Sequence, residues 1–131
     1  MLFRSKTHTA IASSELQFAN SYTELAQKFF AITSPLMGIG HGVLYLYEQP
    51  QRRLRLLFSF AHRQPSALTQ YIQLGQGLVG QCAQDGVPIT LKNPPADYVR
   101  IGSALGDAAP KAVKVLPLIR GGQVLCVLEI A

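Results

Sequence analysis

The sequence predicts an α+β domain built around an antiparallel sheet. Three observations lead there: an N-terminal stretch with apolar residues at helical spacing, two pairs of β-rich runs each joined by a short turn, and no regular strand–helix alternation that would build a parallel sheet. The chain has 131 residues, 48% hydrophobic and 15% charged, enough apolar material for one buried core and too much for a disordered chain. It reads as a single domain over residues 14–131 behind a flexible lead-in, residues 1–13, that is polar and without periodicity.

The first element is a helix starting at Ser14. The Ser14 hydroxyl can accept from the third helical amide while Gln17 reaches back, a capping-box arrangement, and Phe18, Tyr22, Leu25, Phe29 and Ile32 follow at helical spacing. Leu16, Ala19, Ala26 and Phe30 widen the stripe. Two arrangements fit so broad a stripe: one wide face buried within a monomer, or one side on the sheet and the other offered to a second copy in a parallel dimer. Pro35, with Gly38 and Gly40, is expected to end the helix.

From Gly42 the period changes. Residues 43–47 are β-rich and apolar on both faces, as a central covered strand requires. After a turn at 48–51, residues 53–60 alternate, which puts Leu54, Leu56, Phe58 and Phe60 on one face and Arg53, Arg55, Leu57 and Ser59 on the other. A polar linker leads to a short helix opened by Gly77 and capped by Gly86. Residues 87–91 form a brief strand whose Pro88 suits a sheet edge. Residues 92–111 read as a long loop with one helical turn near Tyr98, and loops of that length in a small domain usually carry function. Residues 112–119 and 124–131 are apolar, β-branched strands joined by Arg120-Gly-Gly-Gln123, where a tight hairpin needs positive φ. The chain ends within a strand-like run, so a C-terminal helix and an output domain are expected beyond it.

The long loop is the candidate binding site. Asp97, Tyr98, Arg100 and Lys111 supply polar groups that can converge beside the apolar Phe58, Phe60 and Ile101. The alternative is a closed lid, in which Tyr98 and Ile101 at helical spacing plug the core. Gly75-Gln-Gly-Leu-Val-Gly80 has the form Gly-x-Gly-x-x-Gly, with Asp97 near the distance of a ribose carboxylate. Dinucleotide binding, however, needs a parallel return strand after the helix, and only the brief 87–91 run follows. These glycines are read instead as a turn and a close packing contact.

Cys82 and Cys126 belong to no Cys-x-x-Cys or Cys/His cluster and are expected to be small buried residues. No Ser/His/Asp grouping, paired carboxylates or metal-spaced set occurs, so no catalytic residue, metal site or cofactor is assigned. The net charge of +5 is scattered, and Arg52, Arg53 and Arg55 beside the first turn read as solvated. Neither nucleic acid nor membrane contact is expected. With no apolar run near 20 residues and no secretory leader, the segment reads as cytoplasmic.

Taken together, Gly42-Val-Leu-Tyr-Leu-Tyr-Glu48, Ile72-Gln-Leu-Gly-Gln-Gly-Leu-Val-Gly-Gln81, Gly86-Val-Pro-Ile89, Pro94-Pro-Ala-Asp-Tyr-Val-Arg-Ile101, Ala109-Pro-Lys111, Val115-Leu-Pro-Leu118 and Val127-Leu-Glu-Ile130 resemble GAF domains, notably those preceding the kinase core of bacterial hybrid histidine kinases. The resemblance lies in the order of segments across residues 15–131. It implies an antiparallel sheet of five to six strands, with helices on one face and short helices and loops forming a pocket on the other. It implies a sensory or regulatory module, not itself an enzyme, that binds an unknown small molecule, dimerises, or does both, to control an attached output domain. It also favours a homodimer through Phe18, Tyr22, Leu25 and Phe29. Known ligand classes transfer poorly. The Asn-Lys-x-Phe-Asp-Glu signature of cyclic-nucleotide binders is missing, Cys82 is followed by Ala83 rather than the His of a bilin site, and His8, His41 and His62 are not placed as haem ligands. Two alternatives remain: a ligand-free dimerisation module, and an enzyme like the free methionine sulfoxide reductases of the same fold.

Overall fold

The computed structural model of the chain describes residues 2–61, 68–94, 101–103, 106–108 and 111–131, with side chains for 20–61, 68–94 and 111–131. The elements run α1 (Leu2–Met37), β1 (Gly42–Glu48), β2 (Arg53–Phe60), β3 (Tyr71–Gln73), α2 (Gly77–Asp85), β4 (Ile89–Lys92), β5 (Ile101–Ser103), β6 (Gly106–Ala108), β7 (Ala112–Arg120) and β8 (Gln123–Ile130).

No glycine or proline interrupts residues 2–34, so the backbone has no cause to stop short, and α1 extends back to Leu2. Ser14 therefore lies inside the helix, which corrects its reading as the N-cap, and residues 2–13 are helical. The C-terminus also differs from expectation. Pro35 is carried within the last turn, and the stop is Gly38, whose φ of +67° turns the chain left-handed. Its N–H donates to the Ser34 carbonyl at 2.9 Å, and the Ser34 hydroxyl donates to the Ile39 carbonyl at 3.0 Å, so the exit from the helix is fixed.

Six strands pair antiparallel in the order β3-β2-β1-β8-β7-β4. The doubly apolar β1 lies in the interior of the sheet, as its pattern requires. Both edges are short, three residues in β3 and four in β4, which limits the unpaired backbone offered to another chain. β3 falls in the stretch read as a polar linker, because three residues are too few to show a period. β7 tolerates Pro117 because its β4 partner covers only Ala112 to Val115, leaving no bond on that side for the proline to miss. At the β7–β8 turn Gly121 and Gly122 both have positive φ, +58° and +78°, as a two-residue hairpin needs. Within the segment read as a loop with a helical turn, β5 and β6 form a small hairpin of their own.

Two β-bulges sort the side chains. Between β1 and β2 the register passes from Leu44–Phe58 to Tyr45–Leu56, so Leu57 is the extra residue. Between β7 and β8 it passes from Leu118–Cys126 to Ile119–Val124, so Leu125 is extra. Each bulge turns two consecutive residues, Leu57–Phe58 and Leu125–Cys126, toward the α1 side. The strict alternation expected for residues 54–60 is thereby broken: Leu54 and Leu56 face α2, while Phe58 and Phe60 face α1.

Each face of the sheet has its own core. On one, Val43, Tyr45, Leu54, Val113, Val115 and Val127 pack against Val79, Cys82 and Ala83 of α2. Burying each of the valines or Leu54 contributes about 1.5–3 kcal/mol. On the other, Leu44, Cys126, Leu128 and Ile130 meet Ala26 and Phe30 of α1. Two glycines permit these approaches. A Cβ on Gly42 would fall on the Phe30 ring, and one on Gly80 would sit 2.5 Å from the Gln73 carbonyl oxygen. Gly80 thus serves close packing, as its motif was read. Gly86 ends α2 at φ +68°, donating its N–H to the Cys82 carbonyl at 2.8 Å.

Candidate functional site

α1 is two-faced. Toward the sheet, the Phe30 ring lies parallel to Phe60 at 4.9 Å between centroids and offset-stacked on Phe58 at 6.1 Å. Toward solvent, Leu25 is 61% exposed, Phe29 36%, Ile32 66% and Leu36 80%. These four residues step by four, three and four along the helix, the spacing of a coiled-coil seam. Phe29 is held at that surface by an edge-on contact with the Phe30 ring at 5.2 Å.

Of the helix residues singled out from sequence, Leu25 and Phe29 lie on this outer seam, whereas Tyr22 is half-buried against the sheet-side cluster. Burial raises the Tyr22 hydroxyl above its ordinary pKa. The Phe18 side chain lies outside the described residues. Leu36 was missed because Pro35 was taken to end the helix; the continued four-residue step from Ile32 was the signal that could have found it.

The expected loop pocket is only partly within the described residues. Asp97, Tyr98 and Arg100 lie outside them, and Ile101 is placed by its backbone alone, in β5. Lys111 is exposed, and its carbonyl accepts from the Asn93 N–H at 2.8 Å. That bond extends the β4–β7 ladder by one rung, so Asn93 and Lys111 lie side by side as a narrow neck at the two ends of the chain between them. Phe58 and Phe60 are placed by the β1–β2 register. The bulge at Leu57 turns them to the α1 side, where they stack on Phe30.

On the α2 side, the Tyr45 hydroxyl donates to the Thr69 carbonyl at 2.7 Å and ties down the approach to β3. Burial, then the carboxylate of Glu129, pushes the Tyr45 phenol up to about 12. Cys82 and Cys126 are both buried, one in each core. Burial raises the Cys126 thiol to about 12 and raises that of Cys82 too, with Asp85 adding to the latter. Neither is a poised thiolate.

Arg53 and Arg55 both pair with Glu48, at 3.0 and 3.3 Å, and the Arg53 guanidinium lies 4.2 Å from the centre of the Tyr71 ring. This cationic run is thus partly neutralised within the domain. Among the described residues no group of His, Cys, Asp and Glu could hold a metal, and no helix is long and apolar enough to cross a membrane.

A family model described as GAF domain matches residues 19–131. Among solved structures, the chain is similar to a free methionine-R-sulfoxide reductase from Neisseria meningitidis in complex with its substrate, at TM-score 0.59 and 19% identity, covering 79% of this chain and 57% of that one. It is similar to the GAF domain of an Acinetobacter phosphoenolpyruvate-protein phosphotransferase, at 0.57 and 21%, covering 75% and 57%. A GAF domain from A. aeolicus in an inactive state matches at 0.59 and 20%, covering 86% and 67%. The chain thus spans less than two thirds of the first two, and at these identities the likeness is one of fold. No curated protein matched the chain.

Proposed function

The chain belongs to the GAF domain family, and from that premise we propose that it is a cytoplasmic sensory or regulatory module of a bacterial signalling protein, pairing through α1 and controlling an attached output domain, a histidine kinase. The observation that carries this reading is the two-faced helix. Ala26 and Phe30 are buried on the sheet while Leu25, Phe29, Ile32 and Leu36 present an apolar seam to solvent. An exposed apolar row at coiled-coil spacing is matched by a second copy of itself about a two-fold axis.

In this reading a small molecule is received beneath the chain between Asn93 and Lys111, with Asp97, Tyr98, Arg100, Ile101 and Lys111 as its contacts. The ligand acts by favouring one pose of α1 over another; equal affinity for both poses would shift nothing. Two things support a regulatory role over that of a reductase. The two cysteines lie on opposite faces of the sheet, and both thiols are raised by burial.

Sedimentation velocity across a concentration series tests the pairing. The wild type should associate, and Leu25→Glu with Ile32→Glu should remain monomeric with unchanged circular dichroism. Identical sedimentation of the two would defeat the proposal. A thermal-shift screen of amino acids, nucleotides and 2-oxo acids addresses the ligand, and incubation with thioredoxin, NADPH and free methionine sulfoxide should give no turnover. The sequence of the parent gene would show whether a kinase core is attached.

A further inference from the structure

At the end of the sheet opposite the Asn93–Lys111 neck lies a cleft of ≈ 460 Å³, within the size range of small-molecule sites. It forms where the last turn of α2 passes between the end of β1 and the β7–β8 turn. Its lining is apolar at Leu74, Ala83, Ile119 and Val124, aromatic at Tyr47 of β1, and polar at Gln49, Gln84 and Gln123, with Asp85 the one charged residue among the described lining residues.

Among the described residues no Lys or Arg lines this cleft, although the chain carries 12 basic residues against seven acidic ones. α2 also ends here, and the C-terminus of a helix bears the negative end of the backbone dipole, roughly half an elementary charge. The carboxylate and the helix end favour a cation that donates hydrogen bonds, to which a glutamine amide can also offer its oxygen, and the apolar lining residues favour an aliphatic body. Asp85, the one charged group among the described lining residues, disfavours a carboxylate or phosphate.

We propose that this cleft is a second binding site, separate from the pocket of the preceding reading, for a small aliphatic monocation: a primary ammonium or guanidinium on a chain of a few methylenes. The cationic head pairs with Asp85 and is accepted by the glutamine amide oxygens, while the alkyl chain lies along Ile119, Val124 and Leu74. Because it occupies the far end of the sheet, its success or failure is independent of the ligand proposed beneath the Asn93–Lys111 chain.

The test is titration of the ¹⁵N-labelled protein with n-butylamine and n-butylguanidine near neutral pH, with butyrate and n-butanol as controls, followed by amide chemical shifts. Saturable shifts confined to residues 83–86 and 119–124 are expected from the two cations. Asp85→Asn, an exposed substitution, should fold as wild type and weaken both by about tenfold or more, the scale of a charge-assisted hydrogen bond. Absence of saturable shifts, shifts centred elsewhere, equal response to butyrate, or unchanged affinity in Asp85→Asn would each overturn the assignment.

Discussion

On the α2 side of the sheet a nine-residue helix closes over Val43, Tyr45, Leu54, Val113, Val115 and Val127. On the α1 side a 36-residue helix meets the sheet, among its described side chains, through Tyr22, Ala26 and Phe30 and turns an apolar row outward. The first face satisfies itself within one copy of the chain. The second is completed only in part, and a contiguous apolar strip left on a folded surface marks an interaction site. The bulges at Leu57 and Leu125 deepen the contrast, since both add leucines to the α1 side alone.

The largest effect should come from the closed face. Leu54 is fully buried, and Leu54→Ala should cost about 2–5 kcal/mol in urea unfolding, from lost transfer energy plus the cavity left behind. Gly80→Ala comes next. Its new methyl would meet the backbone carbonyl of Gln73 rather than a side chain able to move aside, so a loss of about 1–3 kcal/mol is expected. A result within experimental error of wild type would mean that α2 can lift without cost, and the contrast between faces would weaken.

Alkaline pH probes both faces through buried acids, Tyr45 and Cys82 on the α2 side and Cys126 on the α1 side. Tyr45 titrates near 10 when unfolded and about 12 when folded, and Cys126 near 9 and about 12. Below pH 9 both are neutral in either state, so neither makes stability depend on pH. Above it the unfolded chain ionises first and is favoured, so stability should fall as pH climbs from about 9 toward 12. Denaturant midpoints between pH 8 and 11 would show this, and Cys126→Val should lessen the earlier part of the fall, the remainder belonging to Cys82. The smallest effect on the fold belongs to the outer seam. Leu25→Gln with Ile32→Gln should alter monomer stability by no more than about 0.5 kcal/mol while abolishing association.

The sequence made the hairpins, α2 and the central β1 legible because each carries a local cause: Gly121-Gly122 for a turn, Gly86 for a helix stop, a doubly apolar run for a covered strand. It hid what depends on partners. A bulge is an extra residue only relative to the strand opposite, so alternation put Phe58 and Phe60 on one face with Leu54 and Leu56, when the inserted Leu57 sends them to the helix. β3 and the β5–β6 hairpin, at three residues per strand, are too short to declare a period. Pro35 announced a stop that Gly38 actually makes. Of the candidate site, helical spacing picked out Leu25 and Phe29 on the outer row, but it did not separate them from Tyr22, which packs toward the sheet, and it lost Leu36 to Pro35. The polar loop residues were identified by type, and chemistry of type does not say which groups converge.

The seat of Phe30 above Gly42 has a mechanical consequence. Among the described side chains of α1, Phe30 alone has no exposed surface, and it lies near one end of that long helix. From Phe30 back to Leu2, at 1.5 Å per residue, a straight helix reaches ~42 Å, so rocking by about 5° about this ring would sweep the far tip through nearly 4 Å. A displacement too small to disturb the strands is thus enlarged along the shaft. The absence of one β-carbon at residue 42 sets the fulcrum, and Gly42→Ala, by lifting the ring, would shift the pivot before it touched any binding group.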